Sequence, residues 1–120
     1  MKKAFNFNES IHEIADFYGY EAQARQTMEE CGELITALNK QWRLDEFGGT
    51  DIGTKTKKAQ AYANVVSEIA DVGVMLAQLI YLLDCENDVV QVMDDKVQRQ
   101  LQRIEESMKA GADNGGVAKP

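Results

Sequence analysis

Residues 67–83, SEIADVGVMLAQLIYLL, form the most apolar stretch of the chain, and the rest of the sequence is interpreted around them. Two carboxylates, Glu68 and Asp71, stand at the beginning of this stretch. On an α-helix, residues three or four positions apart share a face, so both carboxylates lie on the side that carries Met75 and Leu79. Burying an ionised carboxylate without a partner costs several kcal/mol. The sequence therefore predicts that a cation meets this pair.

The overall composition is that of one ordinary soluble domain with an acidic charge balance. The chain has 120 residues, of which 44% are hydrophobic and 28% are charged, and this length is sufficient for one independent core. The net charge of −7 argues against a nucleic-acid partner, because a phosphate backbone is bound by clustered lysines and arginines. An acidic chain can still bind phosphates where divalent metal ions lie between the two.

The cysteines and the apolar run bear on the cellular location. Two cysteines provide no disulfide framework and favour a reduced, cytoplasmic protein. The first ten residues contain no apolar segment of signal-peptide length. The apolar run over residues 69–83 is too short to span a bilayer and contains Asp71, so we expect no membrane partner.

The spacing of apolar residues predicts four helices and no strand. The predicted helices cover about residues 9–18, 21–43, 57–83 and 88–109. We expect Asn8 or Ser10 to cap the first helix, Gly19 to end it, and Asn87 to cap the fourth.

Two segments lack this periodicity. Residues 44–56 are rich in glycine and threonine, which predicts a loop between the second and third helices. A loop of that length in a compact domain is often functional. Residues 110–120 contain no apolar pattern, and we expect a disordered tail.

The predicted fold class is all-α, a bundle of four to five helices in a single domain over residues 1–109. The second helix has an apolar stripe from Ala24 to Trp42 that is wide enough to face a core. The third helix is apolar almost all round, so a monomer of four helices would leave part of it exposed. We therefore expect a homo-oligomer, either a dimer or a tetramer.

Two of the predicted helices each carry an acidic pair with three-residue spacing, Glu30 with Glu33 and Glu68 with Asp71. If the helices pack antiparallel, the four carboxylates meet, and such a group cannot stay fully ionised without cations. Hard divalent ions with oxygen ligands fit this need, Mg²⁺ first and Mn²⁺ second.

A basic edge follows on the fourth helix, where Lys96, Arg99 and Arg103 lie beside an apolar seam. Such side chains bind phosphate oxygens well. Placed on the far side of a metal ion, they would complete a site for a polyphosphate.

Each of these features also has a simpler interpretation. The acidic residues of the second helix are also consistent with a solvated face, and Glu68 and Asp71 with partners of buried arginines. The basic residues are also consistent with exposed charges paired to Asp95 or Glu106. Trp42 is either a core residue or a platform on which a base stacks.

The pattern Glu29-Glu30-x-x-Glu33, followed downstream by Glu68-x-x-Asp71, resembles a known signature. It is similar to the E-E-x-x-E…E-x-x-D motif of the all-α nucleoside triphosphate pyrophosphohydrolases, the MazG-like superfamily. That family hydrolyses a nucleoside triphosphate to the monophosphate and pyrophosphate with Mg²⁺, by attack of water at the α-phosphorus.

The resemblance covers about residues 11–103 and implies a role for each matching position. The implied metal ligands are Glu30, Glu33, Glu68 and Asp71. Glu33 or Glu29 would accept the proton of the attacking water. Lys96 and Arg103 match the basic residues that contact phosphates. The base and the sugar of the substrate are left open.

Two other classes of protein compete with this interpretation. A di-iron carboxylate bundle would need Glu-x-x-His pairs on facing helices, and the chain has a single histidine, His12, outside the acidic motifs. A helical oligomerisation or regulatory module without catalysis would pair its carboxylates with arginine or lysine.

Overall fold

The computed structural model describes residues 5–114, and every element within this range is an α-helix. The helices are α1 (Phe7–Tyr18), α2 (Tyr20–Phe47), α3 (Ile52–Leu82) and α4 (Glu86–Asn114). The prediction of an all-α fold with four helices is confirmed for the described residues.

The first helix begins earlier than predicted, at a different cap. The side chain of Asn6 accepts a hydrogen bond from the backbone N–H of Glu9, at 3.0 Å, and satisfies one of the free donors of the first turn. Asn8 and Ser10 lie inside α1, so the prediction that either of them caps the helix is wrong. Gly19 ends α1 with a φ of 84°, a conformation that favours glycine, and this prediction is confirmed.

The predicted loop over residues 44–56 is wrong, because most of it is helical. α2 continues to Phe47 and α3 already begins at Ile52, which leaves residues 48–51 as the connection. Asp51 caps α3, and its carboxylate accepts hydrogen bonds from the backbone N–H and the hydroxyl of Thr54. The polar residues that favoured a loop therefore form the cap and first turn of a helix.

The fourth helix is also longer than predicted. It begins at Glu86, so Asn87 lies inside it, and it ends at Asn114. Residues 110–114 of the predicted disordered tail are therefore helical, whereas residues 115–120 lie outside the described range. The apolar seam of α4 is exposed in the structure. Its residues are Val90, Met93, Val97, Leu101, Ile104 and Met108.

The chain divides into two compact units at residue 84. The first unit contains α1, α2 and α3, and α3 packs against both of the other helices. The second unit contains α4 and is described by itself. The candidate metal centre lies entirely within the first unit.

The contact between α2 and α3 runs along two seams whose residues alternate in steps of three and four. Helices with this spacing pack with their axes nearly aligned, as in bundles and coiled coils. The seam of α2 consists of Gln23, Thr27, Glu30, Leu34, Ala37, Gln41 and Leu44. The seam of α3 consists of Lys58, Ala61, Val65, Glu68, Val72, Met75, Leu79 and Leu82. All of these residues are buried or half-buried.

The predicted core stripe of α2 is only partly covered: Ala24, Cys31 and Leu34 are half-buried, whereas the rest of the stripe is exposed. Met28 and Ile35 are 72% and 69% exposed, and Trp42 is also exposed. The helix instead turns polar residues such as Gln23 and Thr27 towards α3, both of which are buried. The expectation was wrong because it ranked faces by hydrophobicity alone, and the face that packs here is a mixed one.

The displaced stripe is part of a larger exposed surface. The exposed apolar residues of α2 each follow a seam residue by one position, and those of α3 have the same arrangement. Because the two helices run antiparallel, a step of one residue turns both stripes to the same side. We call this surface the apolar face. It consists of Met28, Ile35, Leu38 and Trp42 of α2 and Tyr62, Val66, Ile69 and Leu76 of α3, all exposed.

By length and composition alone, α3 also passes a test for a membrane-spanning helix. The core helix of a soluble protein can meet the same criteria, but such a helix is mostly buried, whereas 17% of the apolar segment of α3 is buried in this structure.

Candidate metal centre

Three carboxylates from two helices converge at the middle of the α2–α3 contact. Glu30 comes from the seam of α2, whereas Glu68 and Asp71 come from α3, one turn apart. One carboxylate oxygen from each lies within 4.8 Å of the other two. The antiparallel packing that the sequence required for this meeting is therefore present.

Two of these carboxylates have an oxygen that is buried and has no hydrogen-bond partner. These atoms are Oε2 of Glu30 and Oε2 of Glu68. The other oxygen of Glu30 accepts a hydrogen bond of 2.9 Å from Nε2 of Gln26. A buried acceptor without a partner loses its hydration and receives nothing in exchange, which costs free energy. These two atoms therefore mark a place where a cation would stabilise the folded protein.

Glu33 joins the cluster through its charge. The negative charge of Glu30 and, after it, the charge of Glu68 raise the pKa of Glu33 above its ordinary value of 4.5. The charge of Glu29, an exposed residue, contributes a smaller part of this rise in pKa. Glu33 is thus repelled by the charges of Glu30, Glu68 and Glu29, a repulsion that a bound cation would offset.

No basic side chain supplies that cation in the part of the chain that the structure describes. The ion pairs there are Arg25 with Glu21 and Lys109 with Glu105, both between exposed residues one turn apart on a single helix. The alternative in which buried arginines neutralise Glu68 and Asp71 therefore has no supporting contact among residues 5–114.

The chemistry of the donors indicates which metal ion fits. All donors of the cluster are carboxylate oxygens, which suit Mg²⁺ or Mn²⁺. His12 is the only histidine and stacks on the ring of Tyr81, with the ring centres 3.9 Å apart. A di-iron site built from Glu-x-x-His pairs is not formed by these residues.

Two further sets of predicted residues remain, one on α4 in the second unit and one at Trp42. Lys96, Arg99 and Arg103 are exposed on α4, and their role in binding phosphates stays a prediction. Trp42 is exposed on the apolar face and contacts Phe47 edge to face, with ring centres 5.7 Å apart. Its expected place in the core is wrong, and its role as a base platform stays a prediction.

Two polar contacts that fix the first unit were not predicted. Gln23 and Gln78 form a buried hydrogen bond of 2.7 Å between α2 and α3. The hydroxyl of Tyr81 donates to the carboxylate of Asp16 at 2.9 Å and joins α3 to α1. The only sign of the Gln23–Gln78 contact in the sequence is that each glutamine stands among the apolar residues of its helix.

A third feature was missed as well, a group of basic residues beyond the carboxylates on the same two helices. Lys40, Arg43 and Lys57 line a cavity near the connection between α2 and α3. Their spacing from the acidic residues, seven positions from Glu33 to Lys40, is the signal that would have placed them on the face of Glu33.

Comparison with protein-family models, with curated proteins and with solved structures gave no match. The function of this chain is therefore inferred from its own residues and their geometry.

Proposed function

We propose that the protein is a Mg²⁺-dependent nucleoside triphosphate pyrophosphohydrolase of the all-α, MazG-like type. Its reaction would convert a ribo- or deoxyribonucleoside triphosphate into the monophosphate and pyrophosphate. The observation that supports this most is the convergence of Glu30, Glu68 and Asp71 with two buried oxygens that have no partner.

Each carboxylate has a distinct place in the proposed mechanism. Glu30, Glu68 and Asp71 would hold Mg²⁺, because one carboxylate oxygen from each lies within 4.8 Å of the other two, close enough to bind the same ion. When bound, Mg²⁺ neutralises charge on the triphosphate and lowers the pKa of bound water. The sequence pattern adds Glu33 to the ligands.

Glu33 is the proposed base for the attacking water. The pKa of Glu33 is raised, chiefly by the charge of Glu30, and a carboxylate with a raised pKa accepts a proton more readily near neutral pH. Glu29 is the second candidate for this role. The oxygen of the water forms a bond to the α-phosphorus, and the bond from that phosphorus to the bridging oxygen breaks. The proton passes to the carboxylate, and pyrophosphate leaves.

The fold also supports a proposal about assembly. The apolar face of α2 and α3 is exposed and continuous, and isolated soluble monomers rarely carry such a surface. We propose that a homodimer or a homotetramer covers it. Phosphate contacts from Lys96, Arg99 and Arg103, a cytoplasmic location, and the absence of nucleic-acid and membrane partners belong to the same proposal.

A helical module without catalysis is the second candidate, and the exposed apolar face favours it. The two candidates differ in turnover. A panel of canonical and modified ribo- and deoxyribonucleoside triphosphates, with and without Mg²⁺, separates them through the release of pyrophosphate. The enzyme releases pyrophosphate from at least one member in a Mg²⁺-dependent manner, whereas the module releases none from any.

A further inference from the structure

A cavity of about 520 Å³ lies beside the connection between α2 and α3, within the first unit. Its volume is within the range of small-molecule sites, roughly 300–1,000 Å³. The basic and amide side chains that line it come from both helices and are Lys40, Arg43, Lys57, Gln60 and Asn64. Among the described residues no acidic side chain lines it, although the chain carries 20 acidic residues and only 13 lysines and arginines. Three positive charges therefore gather on one concave surface of an acidic protein.

The three cations of the cavity are available to a ligand. Among residues 5–114, none of Lys40, Arg43 and Lys57 forms an ion pair. Like charges around one concave surface repel one another, and a bound anion relieves that repulsion. Guanidinium binds a phosphate group through two parallel hydrogen bonds, and carboxamides donate further N–H groups. The polar part of the cavity therefore suits an anion with several acceptor oxygens.

The cavity is separate from the acidic cluster. Lys40 and Arg43 follow Glu30 by 10 and 13 residues on α2. On α3, Lys57 precedes Glu68 by 11 residues. At a rise of about 1.5 Å per residue, these separations are about 15–20 Å along the helix axes. They exceed the Debye length of about 8 Å at physiological ionic strength, so the carboxylates do little to neutralise the cations or to repel an anion bound beside them.

The rest of the lining is mainly apolar. Leu44 is half-buried and Ala61 is buried, whereas Phe47 is 75% exposed. The ring of Phe47 contacts Trp42 edge to face, which supports it from outside the cavity. An aromatic group on the ligand would cover the exposed ring of Phe47 while the charge of the ligand meets the cations.

We propose that this cavity binds a small phosphate monoester with an aromatic organic part, at a site of its own. A phosphate monoester carries about −1.5 to −2 charges at pH 7 and three strong acceptor oxygens. This charge matches three cations and two carboxamides better than the single charge of a carboxylate does. The net charge of −7 disfavours extended anionic partners such as nucleic acid or an anionic membrane, which face the whole protein, whereas a small ligand meets mainly the cavity.

Binding of phenyl phosphate by the full chain tests this site, with a chelator present so that no metal ion can hold the phosphate. The test variant is Lys40→Gln/Lys57→Gln, at two exposed positions of the cavity. The matched control is Lys55→Gln/Lys109→Gln, which removes the same charge from exposed positions outside the cavity. In calorimetric titration we expect the test variant to bind at least about tenfold more weakly than the wild type, given the strength of charged hydrogen bonds. The control should bind as the wild type does.

Two further measurements test the chemistry of the ligand. Benzoate, a monoanion with the same ring, should bind the wild type more weakly than phenyl phosphate does. Phe47→Ala should weaken the binding of phenyl phosphate and leave that of inorganic phosphate unchanged, since only the contact with the ring is lost.

Each contrary result overturns a stated part of the proposal. No binding of phenyl phosphate by the wild type, or equal affinity in the wild type and the test variant, excludes the cavity as the site. Benzoate that binds as tightly as phenyl phosphate excludes a preference for phosphate, and unchanged affinity in Phe47→Ala excludes the aromatic contact. Glu68→Gln should bind phenyl phosphate as the wild type does, and a loss as large as that of the test variant would show that the site is not separate from the acidic cluster.

Discussion

Glu30 and Glu68 occupy seam positions that packing alone would fill with leucine or valine. Leu34 and Val65 hold the neighbouring seam positions on one side, so each carboxylate is framed by apolar groups. Burying a charge there costs free energy that a metal ion offsets. Oε2 of Glu30 and Oε2 of Glu68 are buried, whereas Asp71 is exposed, so the cluster is partly open to solvent.

The role of Glu68 as a ligand can be tested by removing its charge at constant size. Glu68→Gln should weaken binding of Mn²⁺ by more than about 10- to 100-fold, the loss that already follows when only an outer partner of a ligand is removed. Calorimetry on the nucleotide-free protein measures this. Glu46→Gln, an exposed glutamate of α2, is the matched control and should bind as the wild type does. Unaltered Mn²⁺ affinity in Glu68→Gln would remove this residue from the site.

Glu33 gives a prediction about pH. Its pKa in the folded protein is raised above the ordinary 4.5, chiefly by the charge of Glu30, so the native state holds this proton more tightly than the unfolded chain does. The contribution of Glu33 to stability is therefore fully present below about pH 4.5 and is lost as the pH rises through the raised value.

The measurement is thermal unfolding of the metal-free protein with a chelator across this pH range. Glu33→Gln should raise the Tm at neutral pH and flatten the decline between acidic and neutral pH, whereas Glu46→Gln should not. Added Mg²⁺ should raise the Tm of the wild type. A steeper decline in Glu33→Gln would show that Glu33 is not repelled by its neighbours.

At the scale of single residues, three of the four carboxylates that the sequence groups together, Glu30, Glu68 and Asp71, converge in the structure. Because residues three apart on a helix share a face, Glu68 and Asp71 lie one turn apart on the same side of α3, and both belong to the observed cluster. The exposure of Asp71 was not predictable in this way, because it depends on how far α2 covers α3.

The helices α2 and α3 meet in one register, and a buried polar pair contributes to it. Gln23 and Gln78 form a hydrogen bond with each other, and Gln23 lies two turns before Glu30 on α2. Gln78 is only 1% exposed. A polar pair inside an apolar contact disfavours sliding, since any other register leaves both amides without partners. This contact therefore helps to hold Glu30 opposite Glu68.

Substitution of this pair separates its energetic role from its role in register. Gln78→Leu should destabilise the protein by about 1–3 kcal/mol, because Gln23 is left buried without its partner. The double variant Gln23→Leu/Gln78→Leu should recover much of that stability in denaturant unfolding. Its Mn²⁺ affinity should nevertheless stay below that of the wild type, because the register is no longer specified. Wild-type affinity in the double variant would show that the pair does not position the cluster.

The ends of the helices were predicted less well than their existence. Residues 44–56 were expected to form a loop on composition, yet Asp51 and Thr54 form a cap and extend α3 towards the N-terminus. Threonine and glycine have low helix propensity, but the Asp51 cap satisfies a free backbone donor of the first turn, whose residues are mostly exposed. The face of α2 that packs was also mispredicted. The partner helix determines which face is covered, and this cannot be derived from the periodicity of α2 alone.

At the scale of the whole molecule, the exposed apolar face is the main open surface of the first unit. Its residues belong to both α2 and α3 and lie on the side opposite Glu33 and Lys40, which follows from their positions around each helix. The face is therefore available for assembly without covering the metal centre or the basic cavity. The exposed apolar area that led to the expectation of an oligomer is real, but its location on α2 as well as α3 was not predicted.

Assembly through this face can be tested by adding charge to it. Ile35→Lys/Ile69→Lys replaces two exposed apolar side chains, and the double variant should sediment as a monomer where the wild type sediments as a dimer or tetramer. Glu46→Gln, at an exposed position outside this face, should retain the wild-type assembly. A monomeric wild type across micromolar concentrations, or an unchanged oligomer in the double variant, would exclude this face as the interface.

The central claim is hydrolysis at the α-phosphorus by residues of the acidic cluster, and one measurement tests it most directly. A nucleoside triphosphate hydrolysed in the panel is incubated with Mg²⁺ in ¹⁸O-labelled water, with the wild type and with Glu68→Gln, and both products are analysed by mass spectrometry. We predict that the wild type forms monophosphate that carries the label and pyrophosphate that does not, and that Glu68→Gln forms neither. Label in pyrophosphate or in inorganic phosphate, or full activity in Glu68→Gln, would contradict the account.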